Sequence, residues 1–126
     1  MLSSNPQSAC SDGAQSSSRI SDIQEAIEGI EKVASGKTFA DFEDDWLLRR
    51  GIERAIEIIS EASRHIPPEL QQLRPDIPWH DVATIGNILR HRYHSVSNKI
   101  VWDLVQHDLP ALKVAIEAIA ASVSEE

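Results

Sequence analysis

The sequence is poor in several residue types, and each shortage excludes a class of protein. Its 126 residues include one cysteine, Cys10, so no disulfide can form within the chain, and a reducing, cytoplasmic setting is expected. No apolar run approaches the roughly 18 residues that a membrane-spanning helix needs. The N-terminus also lacks the basic start and apolar stretch of a secretory signal. We therefore expect a protein that makes no membrane contact.

Positive charge is scarce as well. The chain has 12 Lys and Arg against 20 Asp and Glu, a formal net charge of −8. This balance excludes a protein coated in nucleic acid, because phosphate binding needs clustered Lys and Arg. A local basic pocket remains compatible with it. In residues 74–99 the basic side chains outnumber the acidic ones, with Arg74, Arg90, Arg92 and Lys99 against Asp76 and Asp81.

Apolar residues recur at helical spacing over most of the chain. Residues 1–18 are rich in serine and poor in bulky apolar side chains, which predicts a flexible N-terminal extension before a folded domain at 19–126. A first helix is predicted from about residue 19, with further long helices at about 44–65, at 78–96 and after Pro110. The buried stripe of the first helix is predicted to be Ile20, Ile23, Ile27, Ile30 and Val33.

No segment shows the alternation of a strand bounded by hairpin turns. The predicted fold is therefore all-α, an up-and-down four-helix bundle with additional short helices.

Local signals predict where individual helices begin and end. Gly36 is placed to end the first helix, and Thr38 followed three residues later by Asp41 is typical of a helix start. Ser97 or Asn98 is expected to cap a later helix that directs Ile100 inward. A sharp break is expected at Leu109–Pro110, with Asp108 capping the last helix. Trp79 and Trp102 are assigned to packing.

The helix predicted at 78–96 has an unusual polar face. Val82, Ile85, Leu89, Tyr93 and Val96 share its core side, whereas the opposite side carries His80, Thr84, Asn87, His91 and His94, with Arg90 at its edge. A solvated face would normally be rich in Glu and Lys, and this one has neither.

Asn87, Arg90 and His91 are suited to cleaving a phosphodiester. Histidine can remove the proton of a ribose 2′-hydroxyl near neutral pH, and the arginine fork can stabilise the charge that develops on phosphorus. This scheme needs no metal. A structural or incidental role for the histidine remains the open alternative.

A zinc site is not completed by these residues. His91 and His94 stand at i and i+3, but no cysteine lies nearby and the carboxylates of Asp76 and Asp81 are poorly placed. We predict no metal and no other cofactor.

Beyond these signals, residues from about 19 to 123 resemble the HepT-like branch of the HEPN superfamily. The resemblance is carried by several short motifs in the right order, namely Asp22 to Ile27, Ile58 to Ala62 where the family usually has Gly-Glu-Ala, Pro78-Trp79, Asn87 with His91 and Tyr93, Trp102, and Asp108-Leu109-Pro110 with Leu112. Each motif is weak alone, and together they are specific.

The family's motif is an Arg, four residues, a His, one residue and a Tyr, with Asn directly after the Arg. Asn87, His91 and Tyr93 match it, whereas Gly86 occupies the Arg position. We therefore hypothesise that Arg90 supplies the missing guanidinium. The resemblance implies that Tyr93 is adenylylated by a partner, although a core tyrosine is equally compatible with its position. The resemblance implies a cleft between two copies of the chain. Glu61, which matches a family acid, could line this cleft or balance the basic patch, and an ordinary surface glutamate remains the alternative. Arg92 and His94, which flank Tyr93, are expected to line the cleft.

The resemblance implies a metal-independent endoribonuclease toxin that acts on RNA. It implies a homodimer that belongs to a type II/VII-like MNT–HEPN toxin–antitoxin pair and is neutralised by a nucleotidyltransferase antitoxin. The loss of the motif Arg at Gly86 leaves an alternative open. In that alternative the chain is a catalytically degenerate HEPN module that binds its nucleotidyltransferase partner, a nucleotide or RNA without cleaving it.

Overall fold

The computed structural model describes residues 4–92 and 97–124, with side chains for 17–90 and 97–123. These residues form helices and no strand, which confirms the predicted all-α class. In chain order the elements are α1 (Ser4–Ala34), α2 (Phe39–Asp44), α3 (Trp46–Ser63), α4 (Pro68–Gln71), α5 (Trp79–Arg92), α6 (Asn98–Asp103), a π-helical turn (Leu104–Asp108) and α7 (Leu109–Ser124).

Helix α3 is central to the packing, because it contacts both α1 and α5, while α1 contacts α7. The isoleucine stripes of α1 and α3 meet in the core, and α7 adds a third apolar face. The most deeply buried apolar side chains are Ile23, Ile27, Ile30, Phe42, Ile52, Ile116 and Ile119. Burial of an isoleucine contributes about 1.5–3 kcal/mol, so these stripes hold the bundle together.

The predicted helix boundaries between α1 and α2 are confirmed. Gly36 has a φ of 74°, the left-handed conformation that glycine adopts readily after a helix. The backbone N–H of Asp41 donates to Thr38 Oγ1 at 3.1 Å, and the N–H of Thr38 donates to Asp41 Oδ2 at 2.9 Å. This reciprocal pair is the capping box that the sequence predicts.

Later caps follow the same chemistry. The side chain of Asp45 accepts from the N–H of Leu48 at 3.0 Å and so begins α3. Ser97, one of the two candidates, caps α6 by accepting from the N–H of Ile100 at 3.2 Å.

Helix α1 begins at Ser4, earlier than the predicted start near residue 19. Residues 4–18, which the sequence predicts to be a flexible extension, therefore continue the helix. Extending an existing helix costs only the intrinsic propensity of each added residue, since nucleation is already complete. The first buried side chain described in α1 is Ile20, and the domain boundary at residue 18 stays a prediction.

Two residues predicted to face inward are exposed. Val33 is 46% exposed, because Ala34 follows Ile30 by four residues and takes the core position in the last turn of α1. Ile100 is 54% exposed, because the neighbouring Val101 and Trp102 occupy the core side of α6. Both corrections are shifts of one position around the helix axis.

The predicted break at Leu109–Pro110 is wrong, since the chain stays helical there. A π-helical turn at Leu104–Asp108 joins α6 directly to α7, and the N–H of Leu109 bonds to the carbonyl of Leu104. Asp108 lies within this turn and does not cap α7. Proline has no N–H and clashes with the carbonyl four residues earlier in an α-helix. The wider π turn gives Pro110 room without ending the helix.

The packing roles predicted for two tryptophans are confirmed. Trp102 is buried, and its ring centroid lies 5.1 Å from that of Phe42. Trp79 packs against the core, and its indole Nε1 donates to the carbonyls of Gln71 and Arg74 at 3.1 and 3.0 Å. These bonds hold the connector before α5 against the start of that helix.

None of the helices in the described ranges is both long enough and apolar enough to cross a membrane.

Candidate functional site

Helix α5 packs closely against α3 at Gly86. The N–H of Gly86 donates to Ser60 Oγ at 3.1 Å, and the Ser60 hydroxyl donates to the carbonyl of Ala83 at 2.8 Å. Ser60 is buried, and its hydroxyl therefore ties α3 to the α5 backbone at two points. A Cβ added to Gly86 would lie 2.6 Å from Ser60 Oγ and 2.7 Å from Ser60 Cβ. The position where the family motif has an arginine is thus a packing position in this chain.

Arg64 reinforces the same crossing. Its Nε and Nη2 atoms donate to the carbonyl of Ala83 at 3.1 and 2.9 Å. The carbonyl of Ala83 therefore accepts from Arg64 as well as from Ser60. Hydrogen bonds from a charged donor are stronger than neutral ones, so Arg64 helps to fix the position of α5 against α3.

Arg90 follows Gly86 by four residues and therefore lies one turn beyond the Ser60 contact on the side of α5 that borders α3. Arg90 is exposed and Asn87 is half-buried. Arg90 Nη1 lies 3.4 Å from Asn87 Oδ1, to which it donates a long hydrogen bond. The helical spacing of i and i+3 brings the two side chains together.

Two adjoining grooves meet at Arg90. The first, which we call the Trp46 groove, has a volume of about 430 Å³ and is lined by Trp46, Arg50, Glu53, Arg54, Glu57, Leu89 and Arg90. The second, the Arg19 groove, has a volume of about 270 Å³ and is lined by Arg19, Asp22, Arg54, Glu57, Ile58, Glu61, Ala62 and Arg90. Arg54, Glu57 and Arg90 line both, so the two form one continuous polar surface.

Ion pairs organise the α3 side of these grooves. Arg50 Nη1 lies 2.5 Å from Glu53 Oε1, and Arg54 Nη1 lies 3.3 Å from Glu57 Oε1. Each pair is spaced i and i+3 on one helix. A guanidinium has five N–H donors, so an arginine that contacts one carboxylate oxygen can still bind a phosphate.

Glu61, the predicted cleft acid, does line the Arg19 groove. The pKa of Glu61 lies below its ordinary value, mainly because of a side-chain hydrogen bond with His65. His65 Nε2 is 3.2 Å from Glu61 Oε2. The positive charges of Arg64, His65 and Arg90 also lower this pKa. Glu61 and Arg90 both line the Arg19 groove, which brings an anion of α3 and a cation of α5 to the same groove.

The other predicted site residues lie at or beyond the described end of α5. The backbone of His91 and Arg92 belongs to α5, with His91 directly after Arg90, and their side chains are outside the described residues. Tyr93 and His94 fall in residues 93–96, also outside the described residues. The i and i+4 spacing of Asn87 and His91 within α5 puts both on one side of the helix.

A cavity of about 400 Å³ elsewhere is less suited to a phosphate. It lies between α3, α5 and α7, its lining is largely apolar, and its charged side chains are the carboxylates of Asp76, Asp81 and Asp108. Within the described ranges, no group of three His, Cys, Asp or Glu residues is placed to hold a metal ion. The surface formed by the Trp46 groove and the Arg19 groove, which meet at Arg90, is accordingly the better candidate for binding a phosphodiester.

Several residues of this surface were missed by sequence reasoning. Arg50, Arg54, Glu57 and Arg19 are not among the residues that the sequence predicts for the site. The available signal was the recurrence of Trp46, Arg50 and Arg54 at intervals of four, which puts them on one side of α3. Their proximity to Arg90 depends on how α3 and α5 pack, which no local pattern contains.

Comparison with known proteins adds independent information. A family model described as Ribonuclease HepT-like matches residues 23–119. A protein of Thermococcus cleftensis named "Probable ribonuclease HepT" is 39% identical over 100 residues, covering 79% of this chain and 91% of that protein. A protein of Methanocaldococcus jannaschii named "Putative RNase MJ1380" is 30% identical over 98 residues, covering 78% of this chain and 90% of that protein. No solved structure matches the chain significantly.

Proposed function

The chain belongs to the HepT-like ribonuclease family, and from that premise we propose that it is an endoribonuclease that cleaves RNA without a metal. His91 is the acid–base residue, Arg90 stabilises the charge on phosphorus and Asn87 positions the substrate. The observation that carries the proposal is the placement of Arg90. It is exposed directly before His91, hydrogen-bonded to Asn87, and lies where two arginine-lined grooves meet.

The chemistry follows from these roles. His91 removes the proton of a ribose 2′-hydroxyl, the 2′-oxygen bonds to phosphorus, and the bond from phosphorus to the 5′-oxygen breaks. The products are a 2′,3′-cyclic phosphate and a 5′-hydroxyl, whose oxygen takes up a proton from the imidazolium or from water. Arg90 lowers the barrier by stabilising the negative charge that accumulates on the phosphoryl oxygens.

Arg90 takes the part of the motif arginine because position 86 cannot. Gly86 is buried against Ser60, whereas Arg90 is exposed one turn later on the same helix. We expect Arg90→Ala to lower kcat/KM for RNA by about 10²–10³-fold, the usual effect of losing a group that stabilises transition-state charge. His91→Ala should lower it by about 10²–10⁴-fold.

Arg74→Ala is the matched control, since Arg74 pairs with Asp76 at 2.8 Å in the connector before α5 and lines neither groove. This variant should cleave like the wild type. Undiminished cleavage by Arg90→Ala would remove Arg90 from the mechanism.

We further propose that the protein acts in the cytoplasm as a homodimeric toxin of a type II/VII-like MNT–HEPN pair. A nucleotidyltransferase antitoxin holds it in check, with Tyr93 as the residue that is adenylylated and with Arg92 and His94 contributing to the cleft. Membership of the HepT-like family supports this proposal. Intact-mass measurement after co-expression with a nucleotidyltransferase of the proposed antitoxin class should reveal AMP-sized adducts, and Tyr93→Phe should abolish them. An unmodified wild type would contradict this role of Tyr93.

A second candidate function is favoured by Gly86. With no arginine at the motif position and no space for one, the chain is compatible with a degenerate HEPN module that binds its partner, a nucleotide or RNA without cutting. Induction of the wild type and of His91→Ala without the partner separates the two functions. Growth arrest by the wild type alone supports the nuclease. If the wild type does not slow growth and does not cleave RNA in vitro, the result supports the binding module.

A further inference from the structure

Trp46 is exposed to an extent that packing does not explain. It is the first residue of α3 and is 60% exposed, although Trp102 is buried and Trp79 packs on the core. An indole is among the largest apolar groups a protein can bury, and leaving it in water forgoes stabilisation. An exposed tryptophan that borders a charged groove is a candidate binding residue.

The side chains next to Trp46 carry positive charge along α3. The guanidinium carbon of Arg50 lies 5.9 Å from the centroid of the Trp46 ring. Trp46, Arg50 and Arg54 follow one another at intervals of four residues, or roughly 6 Å along the helix axis. A chain that runs along this side of α3 therefore meets an aromatic face and then two guanidinium groups.

The far end of the Trp46 groove leads to the proposed catalytic residues. Arg90 lines the groove opposite Arg54, and both also line the Arg19 groove. Three arginines line the Trp46 groove against two glutamates, and those glutamates are the partners of Arg50 and Arg54. In a chain with a net charge of −8, this groove carries a local excess of positive charge.

We propose that the Trp46 groove binds single-stranded RNA, with one base stacked on Trp46 and the neighbouring phosphates on Arg54 and Arg90. A base presents a face to an aromatic ring only when it is unstacked, so the groove selects single strands over duplex. The proposal rests on the proposed function, because it places the nucleotide next to the phosphodiester that Arg90 and His91 act on.

The test measures binding separately from cleavage. Full-length protein is titrated with a short single-stranded 2′-O-methyl oligonucleotide, which lacks the attacking hydroxyl and cannot be cut, and binding is followed by fluorescence anisotropy. Trp46→Ala should weaken binding about tenfold, the effect expected for one lost stacking contact, and Trp46→Phe should weaken it much less. The Trp46→Ala variant should keep the salt dependence of the wild type, whereas Arg54→Ala should reduce the slope by about one counterion.

Leu47→Ala is the matched control. Leu47 is adjacent in sequence and 73% exposed, and it does not line the groove. It should bind like the wild type, and duplex RNA should bind more weakly and without sensitivity to Trp46→Ala. Unchanged binding by Trp46→Ala, or an equal loss in Leu47→Ala, overturns the proposal. A change in oligomeric state on Trp46→Ala, seen by light scattering, also overturns it, since the surface would then be a protein interface.

Cleavage of the unmodified oligonucleotide distinguishes this proposal from the proposed function. If the groove is correct, Trp46→Ala raises KM and leaves kcat unchanged. If the wild type binds RNA in a Trp46-dependent way but does not cleave it, the nuclease proposal fails and the proposed RNA-binding groove stands. If the protein cleaves RNA with a KM that Trp46→Ala does not change, the proposed RNA-binding role of the groove fails and the nuclease proposal stands.

Discussion

At the scale of single residues, the contact between Gly86 and Ser60 decides what the motif position can do. Ser60 of α3 occupies a position where the HepT-like family usually has glycine, and Gly86 of α5 occupies the position where the family has arginine. Where these two helices cross, the glycine is therefore on α5 in this chain. The Ser60 hydroxyl can rotate, but its Cβ is fixed to the α3 backbone and lies 2.7 Å from where a Gly86 Cβ would be. This contact is the reason why we propose Arg90, which is exposed one turn later, for the role of the motif arginine.

We expect Gly86→Ala to lower the free energy of unfolding by about 1–3 kcal/mol, the usual cost of overpacking. Gly29→Ala in α1 is the matched control, because nothing lies within 4 Å of its added Cβ, and it should stabilise by about 0.5–1 kcal/mol. Urea denaturation of Ser60→Gly, Gly86→Ala and the double variant measures the coupling. The double variant should lose less free energy of unfolding than the two single variants lose together. A loss equal to their sum would contradict the contact.

Glu61 makes stability depend on pH. Its folded-state pKa is lowered, first by the hydrogen bond with His65, so the ionised carboxylate stabilises the folded protein. That stabilisation is present above the ordinary glutamate pKa of about 4.3 and is lost as pH falls through the lower folded-state value. We expect the stability difference between wild type and Glu61→Gln to shrink as pH falls from about 5 to 3. Thermal melts over this range test it, with Glu69→Gln at an exposed position of α4 as control. A difference that stays constant with pH would contradict the assignment.

At the scale of the elements, the π-helical turn at Leu104–Asp108 shows how a proline is accommodated within a helix. The apolar stripe of α6 continues into α7 through Val105 and Leu109, both buried, so ending the helix at Pro110 would interrupt the core. The wider turn keeps the apolar stripe continuous and avoids the clash between the Pro110 ring and the carbonyl four residues earlier. A local signal for a helix end is thus overridden by packing on both sides of it.

Two prolines should respond oppositely to substitution. Pro110→Ala, within the continuous helix, should raise the free energy of unfolding by about 1 kcal/mol or more, since alanine restores an N–H and the helical propensity. Pro68→Ala, at the first position of α4, should be neutral or destabilising, because proline suits that position and restricts the unfolded chain. Thermal denaturation compares the two. Destabilisation by Pro110→Ala would mean that packing alone requires the π turn.

At the scale of the whole molecule, stability and function are assigned to different parts of the bundle. The core is built mainly from isoleucines of α1, α3 and α7, whereas the cations of the candidate site stand on the outer sides of α3 and α5. A net charge of −8 disfavours general attraction to RNA, so the RNA binding that we propose depends on the local groups at the grooves. If the proposal is correct, substitutions at the grooves change RNA binding with little effect on the fold.

The core prediction contrasts a buried and an exposed apolar residue. Ile116→Ala should lower the free energy of unfolding by about 2–5 kcal/mol, because Ile116 is fully buried in α7. Val33→Ala, at a position that the sequence predicts to be inward but that is exposed, should change stability by no more than about 0.5 kcal/mol. Chemical denaturation of the two variants decides the matter, and a large loss in Val33→Ala would place Val33 in an interface.

The all-α class and the capping box at Thr38 and Asp41 were predictable from the sequence alone. Each of these depends on residues within four positions of one another, where helical spacing alone sets the geometry. The packing of Gly86 on Ser60, the proximity of Arg54 and Arg19 to Arg90, and the position of Trp46 at a groove follow instead from how the helices pack. Gly86 and Ser60 are 26 positions apart, and their meeting depends on the register of two packed helices. Periodicity shows that a helix has a buried face, but which neighbour covers it is a property of the folded chain.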